Sequence, residues 1–384
     1  MKILNLHTCP NGLFSKYSNP NGGLEKVVYD FHKLMMEFGV DVISVCSPTD
    51  FCSIEKNFAA INPSNQTEWR VYWKTYCNLL YGLIENEKPD CIIVHGTNKL
   101  LKVFNEWKIP VLFVDHQGHG SINLLYHLDF YTKIVPENRS YGGKIFGVSE
   151  LSNTLKEEEI KKQKITENFK FDGFLKFQYI TDELKNYDIV DHNLKAITIG
   201  NPEGYKQPHK IDVLRKQKLV DDYILITQKP ENPKEKIIKY WESYIQNNEE
   251  ILKRTKCNIS RKETMDLLNC SMIYASTSPN ESAGITTFES FSMGVPALLW
   301  DVSERHASVM FSPNGRGIVW EYFSCKDQVK QFVEYAKTAD RNLIREITFK
   351  ENSKEKTFNE LYEKLKEYIS SSNIVTNVSL EEFF

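Results

Sequence analysis

The chain has 384 residues and a formal net charge of -3, from 48 basic and 51 acidic side chains. Hydrophobic residues make up 41% and charged residues 26%, the balance of a globular protein, and the length calls for two domains rather than one core. That charge excludes a molecule that binds polyanions over its whole surface, but leaves room for a local basic face. The opening MKILNLHTCPNG reads as a short buried strand and a turn. Its apolar block is too short for a secretory signal, and no apolar run approaches the ~20 residues of a membrane span. The eight cysteines include no CxxC pair, which argues against a zinc site or a disulfide framework. A reducing, cytoplasmic location is therefore expected.

The first half alternates strand-like and helix-like segments. KILNLH (2–7) is a strand. In 23–39, Val27, Val28, Phe31, Leu34, Met35 and Phe38 recur at helical spacing. VDVISVC (40–46) is a second strand, and 69–84 reads as a long helix. CIIVHG (91–96), VLFVDH (111–116) and KIFGVSE (144–150) are short apolar runs ending in turn residues. Such alternation predicts βαβ units on a parallel sheet, with ligands bound beyond the carboxyl ends of the strands.

A polar Lys/Glu-rich stretch (155–195) precedes a second series: strands at 196–201, 223–228, 271–277 and 295–301, with helices near 234–254 and 261–269. The last helix, near 352–369, places Phe358, Leu361, Leu365 and Ile369 on one face. The expected division is a domain at 1–190, with the 352–369 helix packing back on it, a second domain at 191–351, and a flexible tail at 370–384. Two α/β domains of this kind are expected to face one another across a cleft.

NESAGITTFESFSMGVPALLW (280–300) concentrates the chemistry. Glu281 and Glu289 have seven residues between them. Ser282, Ala283 and Gly284 are small, so the backbone can approach a ligand. A helix starting near Ile285 would aim its free N–H groups, carrying roughly half a positive charge, at a pyrophosphate. Two turns in, on nearly the same face as Glu281, the Glu289 carboxylate can accept both hydroxyl hydrogens of a ribose. A solvated glutamate on an ordinary αβ unit is the plainer alternative, and it does not explain the spacing, the small residues and the Gly-Val-Pro together.

This stretch resembles the donor-binding motif of retaining GT-B glycosyltransferases, in which two Rossmann-like domains bind a nucleotide sugar. The resemblance implies that Glu281 lies by the donor sugar and Glu289 by the ribose. SNPNGGLEKVVYDF (18–31) is similar to that family's Gly-Gly loop, with Gly22 and Gly23 facing the donor pyrophosphate or the acceptor. Gly-Gly before a helix is a weak signal on its own. AITIGNPEGYKQPHK (196–210) resembles the family's phosphate-binding stretch, so that Gly200 and Lys206 match its glycine and lysine. Asn201 stands where the family has arginine. One cation is therefore missing, and Lys210, Arg261 or a helix end would have to compensate.

No Asp-x-Asp pair occurs, so no catalytic metal is expected; a UDP-sugar is the implied donor, with no further cofactor. In VDHQGHGS (114–121), His116 and His119 are candidates to contact the sugar. Asp115 could orient an imidazole or act as an acceptor-side base. Retention of configuration follows from the resemblance.

The acceptor is less constrained. The run VLFVDHQGHGS, then IFGVSE, and the GNPEGYK layout are similar in outline to the DNA α-glucosyltransferases of T-even phages. That implies double-stranded DNA containing 5-hydroxymethylcytosine as acceptor. The base rate of the wider family instead favours bacterial surface polysaccharide or lipid carriers, and the missing arginine also admits a degenerate nucleotide-binding scaffold. The C-terminal SSSNIVTNVSLEEFF resembles sliding-clamp-binding peptides, with Leu380, Phe383 and Phe384 as anchors; packing on its own domain is the alternative. Lys161, Lys162, Lys164, Lys170 and Lys176 are interrupted by Glu157–Glu159 and read as a solvated helix.

Overall fold

The computed structural model describes residues 1–7, 23–46, 58–60, 80, 82–95, 109–115, 143–147, 170–174, 177–202, 206–229, 235–278, 284–300, 317–320 and 326–371. The chain divides into two compact units, one formed by Met1–Phe177 with Lys354–Phe384 and the other by Gln178–Ser353.

The first unit is built on a seven-stranded sheet: β1 (Lys2–His7), β2 (Asp41–Cys46), β3 (Phe58–Ala60), β4 (Cys91–His95), β5 (Val111–Asp115), β6 (Gly143–Gly147) and β7 (Lys170–Phe174). Its order is β3-β2-β1-β4-β5-β6-β7, and every pairing is parallel. The helix Gly23–Glu37 follows β1. It buries Val27, Val28, Phe31, Leu34 and Met35, the face its spacing predicts. Phe38, just past it, stacks on Phe358 with ring centroids 4.3 Å apart, and Lys354 pairs with Glu37 at 2.8 Å. Both partners lie on the last helix, Lys354–Ser371, which buries Phe358, Leu361 and Leu365. The fourth position of that face goes to Tyr368, three residues after Leu365, in place of the expected Ile369.

The second unit holds β8 (Lys195–Ile199), β9 (Asp222–Thr227), β10 (Thr255–Cys257), β11 (Ile273–Ser276), β12 (Ala297–Trp300) and β13 (Gly317–Trp320), in the order β10-β9-β8-β11-β12-β13, again all parallel. Parallel strands covered on both faces need apolar residues throughout, and Ile273, Tyr274, Ala275 and Leu298 are all buried. The expected helix near 234–254 is broken. It runs over Glu235–Trp241, widens to a π turn at Glu242–Gln246, and restarts at Glu249 after Asn248, whose side chain caps the Ile251 N–H.

The units part at 177/178, ahead of the expected 190/191. Residues 178–190 belong with the second unit because Ile180 and Leu184 are buried in its core. Two arginines reinforce this attachment: Arg345 donates to the carbonyls of Tyr187 and Lys185, and Arg341 to that of Val190.

Candidate functional site

In the second sheet the strand order reverses between β8 and β11, and such a switch point is where open α/β sheets bind ligands. The two stretches singled out by sequence leave these two strands. β8 runs out into Gly200, Asn201 and Lys206, and β11 leads toward the helix Ile285–Ser292. They are joined directly: the Thr277 hydroxyl donates to the Lys206 carbonyl at 3.0 Å and lies 3.5 Å from the Thr198 hydroxyl. Both threonines are buried. Sequence reasoning missed them. The available signal was a hydroxyl residue at the carboxyl end of an otherwise apolar strand, in AITIG and in SMIYAST.

Gly200 donates its N–H to Ile226 O at 3.0 Å. A Cβ placed on it would meet only the Lys206 Cβ at 3.8 Å and the Pro208 Cβ at 4.0 Å, ordinary contact distances. Asn201 is exposed, so the position lacking the expected arginine faces solvent. His209 does not replace the missing charge. Burial, with Lys210 and Lys216 nearby, lowers its imidazole to about 4, so it is neutral at physiological pH. Its Nδ1 lies 2.5 Å from the Tyr240 hydroxyl, and its ring stacks on Tyr244. Burial also lowers the Lys210 ammonium.

Gly284 is the N-cap of the helix Ile285–Ser292 and, having no side chain, offers no acceptor to the first-turn N–H groups. Glu289 is the fifth residue of this helix, one turn in rather than the expected two. Its side chain is only 3% exposed, and its Oε1 accepts from Arg261 Nη2 at 2.6 Å. Arg261 also grips Glu183, Nε to Oε1 at 3.1 Å and Nη2 to Oε2 at 3.3 Å. Burial works against the Arg261 charge, but Glu289 and then Glu183 more than offset it and raise the guanidinium above its ordinary value. Arg261, one of the replacements offered for the missing arginine, is thus paired with two carboxylates.

The Gly-Val-Pro after this helix has a structural cause. Gly294 has φ +71°, and the Val295 N–H returns to Ser290 O at 2.8 Å, closing the helix end. Pro296 then offers its carbonyl to Tyr274 N at 3.0 Å where β12 begins beside β11.

Glu281, Ser282, Ala283, Gly22, His116 and His119 lie outside the described residues, as do Leu380, Phe383 and Phe384. Gly23 is the first residue of its helix, and Asp115 is the last residue of β5. In the first sheet the strand order reverses between β1 and β4, so Gly23 begins the helix that follows a switch-point strand. Among the described residues, no group of three or more His, Cys, Asp or Glu is arranged to hold a metal, and no helix is long and apolar enough to cross a membrane.

The chain matches no protein-family model and no curated protein. It is similar to solved structures along nearly its whole length. A glycosyltransferase from Rickettsia africae aligns at 16% identity and TM-score 0.67, covering 97% of this chain and 99% of that one. Sucrose-phosphate synthase from Thermosynechococcus elongatus aligns at 10% identity and TM-score 0.68, covering 97% and 100%. HepE from Anabaena, in complex with UDP and glucose, aligns at 14% identity and TM-score 0.66, covering 96% and 100%. At these identities the likeness is one of architecture: the chain has the α/β GT-B fold.

Proposed function

We propose that the chain is a glycosyltransferase that takes its sugar from a UDP-sugar held at the carboxyl ends of β8 and β11. The observation that carries this reading is the Thr277–Lys206 hydrogen bond, which joins the two stretches chosen by their chemistry across a switch point. Lys206 is then the phosphate ligand, the first-turn N–H groups after Gly284 face the pyrophosphate, and Glu289 takes the ribose. In this reading Glu281 serves the donor sugar. Preorganised N–H dipoles and one lysine stabilise the departing nucleotide without a metal. The UDP found in the HepE structure supports the nature of the donor. In this reading Asp115, His116 and His119 serve the transferred sugar and the acceptor.

The acceptor in this proposal is 5-hydroxymethylcytosine in double-stranded DNA, supported by the likeness of 111–150 and 200–206 to phage DNA glucosyltransferases. Its hydroxymethyl group projects into the major groove, where an enzyme can reach it. The test incubates the full chain with hydroxymethylated or unmodified duplex and a panel of UDP-sugars, and reads the nucleosides by mass spectrometry. One added pentose or hexose on 5-hydroxymethylcytosine alone is the expected product. Transfer to a glycan or lipid-linked acceptor instead would refute the DNA assignment. Tight UDP binding without turnover of any donor would reduce the chain to a nucleotide-binding scaffold.

Two variants probe the donor site. Glu281→Ala is expected to lower turnover about 100-fold or more with an unchanged melting curve; wild-type rates would remove the residue from the mechanism. Lys206→Ala is expected to weaken UDP binding by about 1.5–3 kcal/mol, measured calorimetrically. An unchanged affinity would count against the phosphate site.

A further inference from the structure

Arg261 occupies an electrostatically poor position. It is the first residue of the helix Arg261–Asn269, capped by Ser260, whose hydroxyl accepts from Glu263 N at 3.1 Å. A helix N-terminus is positive and disfavours a cation. The arginine nevertheless points its guanidinium at two carboxylates, from sequence-distant elements. Glu183 is on the short helix Asp182–Lys185, and Glu289 is on the helix Ile285–Ser292.

Their environments differ. The Glu183 side chain is 40% exposed and could be solvated by water without help. Glu289 is 3% exposed, and a carboxylate buried without a partner carries a large desolvation cost. Arg261 contacts only Oε1; among the described residues, Oε2 takes no hydrogen bond. The arrangement is ordered from the outside inward: a bidentate grip by Glu183 fixes the guanidinium plane, and the guanidinium fixes the inner carboxylate.

We propose that Arg261 is a positioning residue, which holds the Glu289 carboxylate oriented with Oε2 presented to the vicinal hydroxyls of the donor's ribose. The proposal rests on the reading of Glu289 as the ribose ligand. In this role Arg261 acts through Glu289 rather than on the phosphate. It supplies the counter-charge that lets a carboxylate act as an acceptor from within a helix core.

The test measures calorimetric affinity for UDP and for 2',3'-dideoxy-UDP with full-length protein; their ratio reports the ribose hydroxyls alone. Wild type is expected to prefer UDP roughly tenfold or more, the contribution of hydrogen bonds to a charged acceptor. Glu289→Ala should bring the ratio to about one. Arg261→Leu should bring it most of the way there with dideoxy-UDP affinity within about twofold of wild type, Arg261→Lys should restore part of it, and Glu183→Gln should fall between. Because Arg261→Leu leaves Glu289 unpaired and could unfold the unit, the lysine and Glu183 variants provide the same readout on a charge-retaining background. A full ratio in Arg261→Leu or, where that variant does not fold, in Arg261→Lys, alongside a lost one in Glu289→Ala, overturns the positioning role and leaves the ribose reading intact. A full ratio in Glu289→Ala, or a wild type indifferent to the hydroxyls, overturns both.

Discussion

Gly294→Ala is expected to destabilise the unit Gln178–Ser353 by about 2–5 kcal/mol, the sum of a left-handed backbone penalty and a steric one. The residue has φ +71°, and a Cβ there would lie 2.3 Å from the Arg341 carbonyl oxygen and 2.8 Å from the Arg341 Cβ. The first obstacle is backbone, so no side-chain rotation relieves it; the Arg341–Glu351 helix would have to move off the end of the Ile285–Ser292 helix. Gly39 provides the control. It has φ +78° with nothing within 4 Å of a built Cβ, so Gly39→Ala should cost only the backbone part, about 1–2 kcal/mol. Urea unfolding followed by circular dichroism would compare them. Equal losses for the two would show that the helix yields to the added methyl, contrary to this account.

Replacing Arg341 should have an effect of similar size. Its guanidinium donates to Val190 O at 2.6 Å, Asn269 O at 2.8 Å, Asn269 Oδ1 at 3.0 Å and Met293 O at 2.7 Å. The backbone carbonyls of Asn269 and Met293 belong to the C-terminal ends of two helices, where acceptors lack intrahelical partners and a cation is favoured. Arg341→Met keeps the volume and leaves these carbonyls without a donor, each costing about 1–3 kcal/mol when buried. A total loss of roughly 3 kcal/mol or more is expected. Arg341→Lys should fall between, since a single ammonium cannot span acceptors on three segments. The order wild type, lysine, methionine in unfolding midpoint is the measurable outcome. A methionine variant within about 1 kcal/mol of wild type would mean the carbonyls find other donors.

The interior of both sheets was readable from sequence, because strands buried on both faces are continuous apolar runs bounded by turns: KILNLH, CIIVHG, AITIGN and SMIYAST needed no tertiary information. The four strands that went unread, β3, β7, β10 and β13, are the four sheet edges. Edge strands are short and tolerate charge; β7 begins with Lys170 and β10 is Thr255–Cys257, three residues with a central lysine. Their composition merges with that of loops.

The candidate site divides in the same way. Small residues before a helix and a glutamate within it are local patterns that point to Gly284 and Glu289, and Lys206 comes from the likeness of the 196–210 stretch to a family motif. The pairing of Arg261 with Glu183 and Glu289 spans 78 and 28 residues, and only the folded sheet brings these elements together. Sequence therefore offers Arg261, alongside Lys210 and a helix end, as a stand-in for the missing arginine, whereas its guanidinium is taken up by carboxylates.

The return of Lys354–Ser371 to the first unit bears on the order in which the parts can be finished. During synthesis from the amino end, the second unit is contiguous and all of its residues have emerged before the first unit receives its closing helix. Until then Phe38 lacks the ring of Phe358, and Glu37 lacks the ammonium of Lys354. The first half of the chain leaves the ribosome early and waits longest for completion, with apolar surface open to chaperones or to other nascent chains in the interval.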